Sequence, residues 1–363
     1  MGKTIVFTVI NDLRSDQRMD KICTSLQSHG FEVTLVGRRL PDSPPLSDKP
    51  YQQIRIPCFF TKGKAFYIEY NLKLRSWLRE HRFDIYSAVD ADTIWPCVSA
   101  AKKHHVPVVY DAHEYFSEVP EVIQRPRVQQ FWKWWEQLWI PKVQAAYTVS
   151  SGIQQILSAA HNIPFRLIRN VPAYYLPNTH HAVSEKYILY QGALNAGRGL
   201  EHIIRAMHHV PAVLQIVGEG DLSEALRKLV KAEQLQHKVV FVGFIPPDQL
   251  KTFTTQAYMG INVSESLGLS YYHSLNNKFF DYIMAGLPAI TNDFPEYRAH
   301  MSQYETGILI SDADPISIAN ACNTLLTDSQ LHAKLKQNCL TAALEWNWEQ
   351  EELQLLEIYR SIS

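Results

Sequence analysis

The sequence predicts an α/β protein built from two doubly wound parallel-sheet domains, and three observations predict it. Short apolar, β-branched runs alternate with amphipathic helical stretches, the pattern of β-α-β units with helices on both faces of a parallel sheet. The alternation stops once, across PAYYLPNTHHAVSEK (172–186), and then restarts. The length of 363 residues exceeds one ordinary core and suits two domains of about 150–200 residues each.

In the first half, TIVFTV (4–9) reads as the opening strand. Residues 16–29 follow as a helix with Met19, Ile22, Cys23 and Leu26 on one face. FEVTLVG (31–37) is the second strand, and the Pro-, Asp- and Ser-rich residues 40–52 read as a loop. A helix near 65–81 leads to strand DIYSAV (84–89), a helix near 93–104 to PVVYDA (107–112), and a long helix near 127–143 to AAYTVS (145–150). The boundaries that follow are 1–172 for the first domain and 173–186 for a linker.

The second half repeats the scheme over 187–345. Strands are expected at KYILYQG (186–192), AVLQIVG (212–218), KVVFVGF (238–244), MGINVS (259–264), LPAIT (287–291) and GILI (307–310). Helices are expected after Gly199 and near 222–234, 247–255 and 277–285. Three amphipathic helices, 315–326, 328–345 and 347–361, close the chain, and the segment 346–363 is expected to pack back onto the first domain. Two such domains facing one another form a cleft, with ligands at the carboxyl ends of the strands.

Composition narrows the function classes. A formal net charge of −1 gives no global basic field for nucleic acid. The five cysteines (Cys23, Cys58, Cys97, Cys322, Cys339) have no CxxC or metal-ligand spacing, so they read as reduced thiols of a cytoplasmic protein. MGKTIVFTVI enters a strand directly and has no signal-peptide pattern. No run of about 18 apolar residues suggests a span.

Chemistry concentrates at strand ends of the second half. Gly192 ends a strand, and Arg198 and Gly199 open the next helix. An arginine there either joins helix amides in holding a phosphate or is a surface residue beside a turn. Gly218, in QIVGEGDL, gives a ligand access to backbone or simply makes a turn. Gly243 and Phe244 lie where a nucleobase could rest, or where a loop caps the strand. The stretch HSLNNKFFDYIMAGLPAIT (273–291) is more specific. Asn276 or Asn277 can cap its helix, and Lys278 sits in the first turn, where a cation disfavours the bare helix by a few tenths of a kcal/mol. Asp281 follows one turn on, on roughly the same face. The pair fits a nucleoside diphosphate, with the lysine and helix amides on phosphate and the carboxylate on ribose hydroxyls.

In that order, the strand-Gly-x5-Arg-Gly-Leu segment, IVGEGDL, VVFVGFIPPDQL and HSLNNKFFDYIMAGLPAI resemble the GT-B glycosyltransferases, and most closely the retaining, group 1 type called glycosyltransferase family 4. The first half joins the resemblance through NDLRSDQRMDKICTSLQSHGFEVTLVG, through VDADTIWPCVSAAKKHHVPVVYDAHEYFSE and through AAYTVSSGI. The resemblance implies a GT-B architecture of two Rossmann-like domains, an acceptor-binding first domain and a nucleotide-sugar-binding second one. It implies catalytic roles for His113, Arg198 and Lys278, the last two on the donor diphosphate. Asp281, His273, Asn277, Gly218, Gly243, Phe244 and Gly192 would line the donor, with Asp281 on ribose. Asp12, Arg14, Ser15 and Glu114 would face donor phosphates and acceptor. His113, after strand VVYDA, also reads as a satisfied core histidine.

Two positions depart from the family pattern. Ala193 replaces a frequent arginine, and His273 stands where a glutamate is frequent. The expected reaction is a retaining, front-face sugar transfer from a UDP- or GDP-type donor to a glycan or lipid-linked acceptor, in surface polysaccharide synthesis. No cofactor or metal is expected, because the cations can neutralise the leaving diphosphate. The one DxD, Asp90-Ala91-Asp92, reads as a cap or loop contact. FWKWWEQLW (131–139) and the basic, aromatic stretch 61–79 suit either internal packing or a peripheral contact with the cytoplasmic membrane face. Two other readings stay open: a nucleotide-sugar epimerase using His113, Glu114, Glu118 and His273, and a nucleotide-binding module without catalysis.

Overall fold

The computed structural model describes residues 2–14, 16–177 and 186–362. These form two units, one of residues 1–169 with 352–363 and one of residues 170–351. Of the expected linker, residues 178–185 lie outside the described residues.

The first unit holds seven strands: β1 (Thr4–Thr8), β2 (Glu32–Arg39), β3 (Gln52–Pro57), β4 (Ile85–Val89), β5 (Val108–Ala112), β6 (Ala145–Thr148) and β7 (Phe165–Leu167). All pair in parallel, in the order β3-β2-β1-β4-β5-β6-β7. β4 and β5 are buried along their whole length, as central strands covered on both faces must be. One core face gathers Val6, Val36, Tyr86, Ala88 and Tyr110 under the helices Gly63–Glu80 and Ile94–His104. The other face meets the end of the last helix, Trp348–Ser361, where the Tyr359 hydroxyl lies 2.8 Å from Ser87 Oγ and 3.3 Å from the Tyr147 hydroxyl.

The second unit holds six strands: β8 (Tyr187–Gln191), β9 (Val213–Val217), β10 (Val239–Gly243), β11 (Met259–Asn262), β12 (Ala289–Asn292) and β13 (Gly307–Ile310). They are again all parallel, in the order β10-β9-β8-β11-β12-β13. Ile188, Tyr190, Leu214, Ile216 and Ile261 fill the core on one face. Leu189, Val217, Tyr282 and Ala289 fill it on the other. The two sheets are therefore the doubly wound, Rossmann-like pair that the β-α-β alternation predicts.

Differences from the sequence expectation fall at edges and short elements. Residues 52–57 form β3, although residue 52 is expected in a loop. This strand is at the sheet edge and only half-buried, with Arg55 between Ile54 and Ile56, so it has no dense apolar run. LPAIT reads as a strand from 287, but the ladder begins at Ala289, because Leu287 and Pro288 still belong to the turn after the helix. The helices Ser151–His161, Gly268–Tyr272 and Pro295–Gln303 and the short strand β7 have no counterpart in the expectation. Among the described residues no helix is long and apolar enough to cross a membrane.

Candidate active site

In each sheet the strand order reverses once, and the loops leaving the two strands at that point diverge and leave room for a ligand. In the second unit the reversal lies between β8 and β11. The loop after β8 carries Gly192 and Arg198, and the segment after β11 leads into the helix Asn277–Met284.

Backbone geometry shapes this edge first. Gly218 has φ +137°, and a Cβ there would stand 2.0 Å from the Gly192 carbonyl oxygen, so the end of β9 approaches β8 this closely only with glycine at 218. Gly192 has φ +130°, and a Cβ would sit 3.6 Å from Lys278 Cε. Open backbone at Gly192 thus borders the lysine's end.

Asn276 precedes the helix, but its side chain makes no capping bond, contrary to expectation. It is drawn away by stronger partners. Its Oδ1 accepts a hydrogen bond from Arg198 at 2.9 Å, and its Nδ2 donates to Asn262 Oδ1 at 3.2 Å and Ser264 Oγ at 3.3 Å. The Arg198 guanidinium also lies over the Tyr271 ring, 4.9 Å from its centroid. Asn277 instead bonds sideways, accepting from Asn170 Nδ2 at 2.9 Å. Neither asparagine side chain therefore covers the helix amides by capping them.

Lys278 is the unusual group. The residue is 7% exposed, and its Nζ has no hydrogen-bond partner among the described residues. The Nζ lies 3.6 Å from the centroid of the Tyr190 ring. A ring face favours the ammonium by about 0.5–2 kcal/mol. Burial works against the charge and outweighs it, and the nearby Arg198 adds repulsion, so the lysine sits well below its ordinary pKa despite Asp281. A buried cation with no acceptor is costly, and an anion beside it would remove the cost.

Asp281 lies one turn further along the helix, and its Oδ2 accepts from Gln191 Nε2 at 3.0 Å. Gly192, Arg198, Asn276, Lys278 and Asp281 thus gather around the ends of β8 and the helix Asn277–Met284. Gly243 has φ +85°, and the Phe244 side chain is largely exposed. His273 ends the helix Gly268–Tyr272, packs edge-on against Tyr272 at 5.0 Å, and leaves its buried Nδ1 without a hydrogen-bond partner among the described residues.

The first unit reverses between β1 and β4. After β1, Asp12 accepts hydrogen bonds from the Arg14 amide at 3.3 Å and from Ser43 Oγ at 3.2 Å. Ser15 lies outside the described residues. Arg14 and Glu114 are exposed. After β5, His113 sits among carboxylates, with Nε2 3.3 Å from Asp111 Oδ2 and Nδ1 3.8 Å from Asp90 Oδ2. Asp90 also accepts from the His113 amide at 2.9 Å, the loop contact anticipated for the DxD triplet. Asp111 is fully buried and receives Arg18 through Nη2 at 2.9 Å and Nε at 3.3 Å. Burial would lower the His113 pKa, but Asp111 and Asp90 outweigh it and raise it to about 9. Burial would raise the Asp111 pKa, but Arg18 and His113 hold it down at about 2.

Glu118, a candidate acid in the epimerase reading, is engaged by Lys133 at 2.7 Å and Gln129 Nε2 at 2.9 Å. It ties the segment after β5 to the tryptophan-rich helix Pro126–Trp139. Gln191 and Arg18 carry much of the two sites' order, and neither stands out in the sequence by motif. The one signal for Gln191 is an amide ending an otherwise apolar strand.

Two family models match the chain, one for each half. "Glycosyltransferase Family 4" matches residues 17–172 and "Glycosyl transferases group 1" matches residues 177–340. An uncharacterised glycosyltransferase of Methanocaldococcus jannaschii is 27% identical over 183 residues, 48% of this chain and 45% of that protein. The chain thus matches under half the length of that relative. Among solved structures, sucrose-phosphate synthase of Thermosynechococcus elongatus superposes with a TM-score of 0.85 at 17% identity, over 99% of this chain and 98% of that one. The Anabaena protein HepE in complex with UDP-glucose superposes with a TM-score of 0.76 at 14% identity, over 99% and 100%. At these identities the superpositions speak for the fold, which is GT-B.

Proposed function

The chain belongs to the group 1, family 4 glycosyltransferases, and on that premise we propose that it moves a sugar from a nucleoside-diphosphate donor to a hydroxyl of a glycan or glycolipid. The observation that carries the donor half is the Lys278 side chain, whose buried Nζ has no hydrogen-bond partner among the described residues and feels the charge of nearby Arg198. The donor diphosphate is that partner. Arg198 and Lys278 hold its oxygens, and the N-terminal end of helix Asn277–Met284 adds its dipole. UDP-glucose bound to HepE supports a donor of the UDP kind.

In the reaction, the bond from the anomeric carbon to the diphosphate oxygen breaks as the acceptor oxygen bonds to the same carbon on the same face. The acceptor proton passes to the departing diphosphate oxygen. Negative charge grows on the diphosphate, where the two cations and the helix stabilise it electrostatically. This clamp takes the charge-neutralising role that a divalent ion serves elsewhere. His113, held as a cation by two carboxylates, acts as a hydrogen-bond donor toward the sugar, and Asp12, Arg14 and Glu114 serve the acceptor side. A role in surface polysaccharide synthesis fits a lipid-borne acceptor.

The first unit also carries features that suit a membrane face. Ile68 and Leu72 are exposed on helix Gly63–Glu80, and Phe131 and Trp134 on helix Pro126–Trp139. Tyr67 and Trp132 join the two helices at 5.7 Å between ring centroids. Lys64 and Arg127 lie one turn before Ile68 and Phe131 on the same helix faces. Flotation with vesicles containing anionic lipid is expected for the wild type and lost in Phe131→Ser/Trp134→Ser; equal flotation of both proteins removes the membrane reading.

The function is tested by incubating the protein with UDP- and GDP-sugars and a bacterial glycolipid extract, and following nucleotide release and product by mass spectrometry and NMR. Transfer with the donor's anomeric configuration kept is expected. An inverted product removes the retaining mechanism. A sugar isomerised without acceptor supports an epimerase, and binding without turnover supports a nucleotide-binding module.

A further inference from the structure

A buried polar chain runs behind the donor-site carboxylate. Gln191 is the last residue of β8 and is 3% exposed. Along that strand Leu189 and Gln191 point to the same face, and Leu189 sits in the apolar cluster with Tyr282 and Ala285. An amide at the end of such a face needs partners for both its ends. It finds them on two helices. Thr254, 2% exposed on helix Pro247–Gln256, has its hydroxyl 2.8 Å from Gln191 Oε1. Gln191 Nε2 in turn lies 3.0 Å from Asp281 Oδ2.

Directionality follows from the chemistry. An ionised carboxylate only accepts, so the amide must turn its NH2 toward Asp281 and its oxygen toward the threonine. The Thr254 hydroxyl has one proton and a competing acceptor in the Leu250 carbonyl at 2.9 Å. When that proton points to Gln191, the amide is locked in the orientation that serves Asp281. Thr254 of helix Pro247–Gln256, Gln191 of β8 and Asp281 of helix Asn277–Met284 thus form one chain of hydrogen bonds that ends on the carboxylate.

We propose that Thr254 and Gln191 are positioning residues that hold the Asp281 carboxylate for the vicinal hydroxyls of the donor ribose. One oxygen is held by the amide, which restricts rotation of the carboxylate and fixes the direction in which it can accept from the ribose hydroxyls. The inference rests on the reading of Asp281 as the ribose acceptor. It adds that selectivity for a ribose over a deoxyribose is set from behind the site, by residues that do not touch the nucleotide.

The test is a double-mutant style comparison by calorimetry. UDP, or GDP if that is the nucleotide bound, is compared with its 2′,3′-dideoxy analogue in wild type, Gln191→Met, Thr254→Val and Thr254→Ser. Wild type is expected to favour the ribonucleotide about tenfold, as for a hydrogen bond to a charged group. Gln191→Met and Thr254→Val are expected to lose most of that preference while binding the dideoxy nucleotide as wild type does. Thr254→Ser keeps the hydroxyl and is expected to retain the preference. Equal weakening toward both nucleotides, or an unchanged preference in Gln191→Met and Thr254→Val, overturns the inference and leaves Asp281 in its role. A wild type that binds both nucleotides equally overturns the reading of Asp281, and this inference with it. If Gln191→Met fails to fold, the Thr254 pair decides alone.

Discussion

The two units place charged groups near the carboxyl ends of their parallel strands and treat them in opposite ways. In the first unit the charges are paired with each other: Arg18 grips Asp111, and His113 stands between Asp111 and Asp90. In the second unit Arg198 bonds a neutral amide and Lys278 bonds nothing among the described residues. Ion pairing balances most of the first cluster within the fold, although His113 Nε2 makes no hydrogen bond among the described residues. The second is left electrostatically incomplete, as expected of a site whose counter-charge arrives with the ligand. A shared fold therefore does not give the two edges the same task.

The largest expected effect separates function from stability at Lys278. Lys278→Met is expected to lower nucleotide affinity or turnover by about 10²-fold or more. Its unfolding free energy is expected to stay within about 1 kcal/mol of wild type or to rise, because a buried unpaired amine is replaced by an apolar chain of similar length. Calorimetry and urea unfolding measure the two. A large loss of stability with unchanged binding would make Lys278 a packing residue and remove the contrast between the units.

Arg18→Met probes the other side. It leaves Asp111 buried without its guanidinium and is expected to cost about 3–5 kcal/mol in urea unfolding. The second unit's affinity for nucleotide is expected to be unchanged. If Arg18→Met unfolds like wild type, the first cluster is not held by its own pairing.

The smallest effect is a pH dependence at His113. Its folded pKa of about 9 lies above the ordinary histidine value near 6.5. The stability this gives is fully present below about pH 6.5 and is lost as pH rises through about 9. Wild type is therefore expected to lose stability relative to His113→Gln between pH 6 and pH 10. Asp111 works at the other extreme: its depressed pKa stabilises the fold above about pH 4, and the gain is lost as pH falls toward about 2. A difference between wild type and His113→Gln that does not change from pH 6 to pH 10 would mean that the carboxylates do not hold the imidazolium.

Much of this architecture was legible before the structure. β8 and β9 are the runs YILYQ and VLQIV, each followed by a glycine, and their burial makes them apolar enough to read. β3 was not legible, because an edge strand needs little apolar surface. In the site, Arg198, Lys278 and Asp281 could be found because each sits at a recognisable strand-to-helix junction. The Arg18–Asp111 pair joins residues 93 apart, and the Gln191–Asp281 bond residues 90 apart. Periodicity reports local burial and leaves no trace of such bonds. The same limit applies to Asn276, whose side chain is drawn from helix capping to Arg198 by distant neighbours.

In the second unit, Lys278 and Arg198 together await a diphosphate. Calorimetric titration of the wild type with UDP and UMP, and with GDP and GMP, tests it most directly. One of the diphosphates is expected to bind, and at least about tenfold more tightly than its monophosphate, since the second phosphate supplies the acceptor that Lys278 lacks among the described residues and an anionic partner for Arg198. Equal affinity for diphosphate and monophosphate, or no binding of either pair, would contradict the claim.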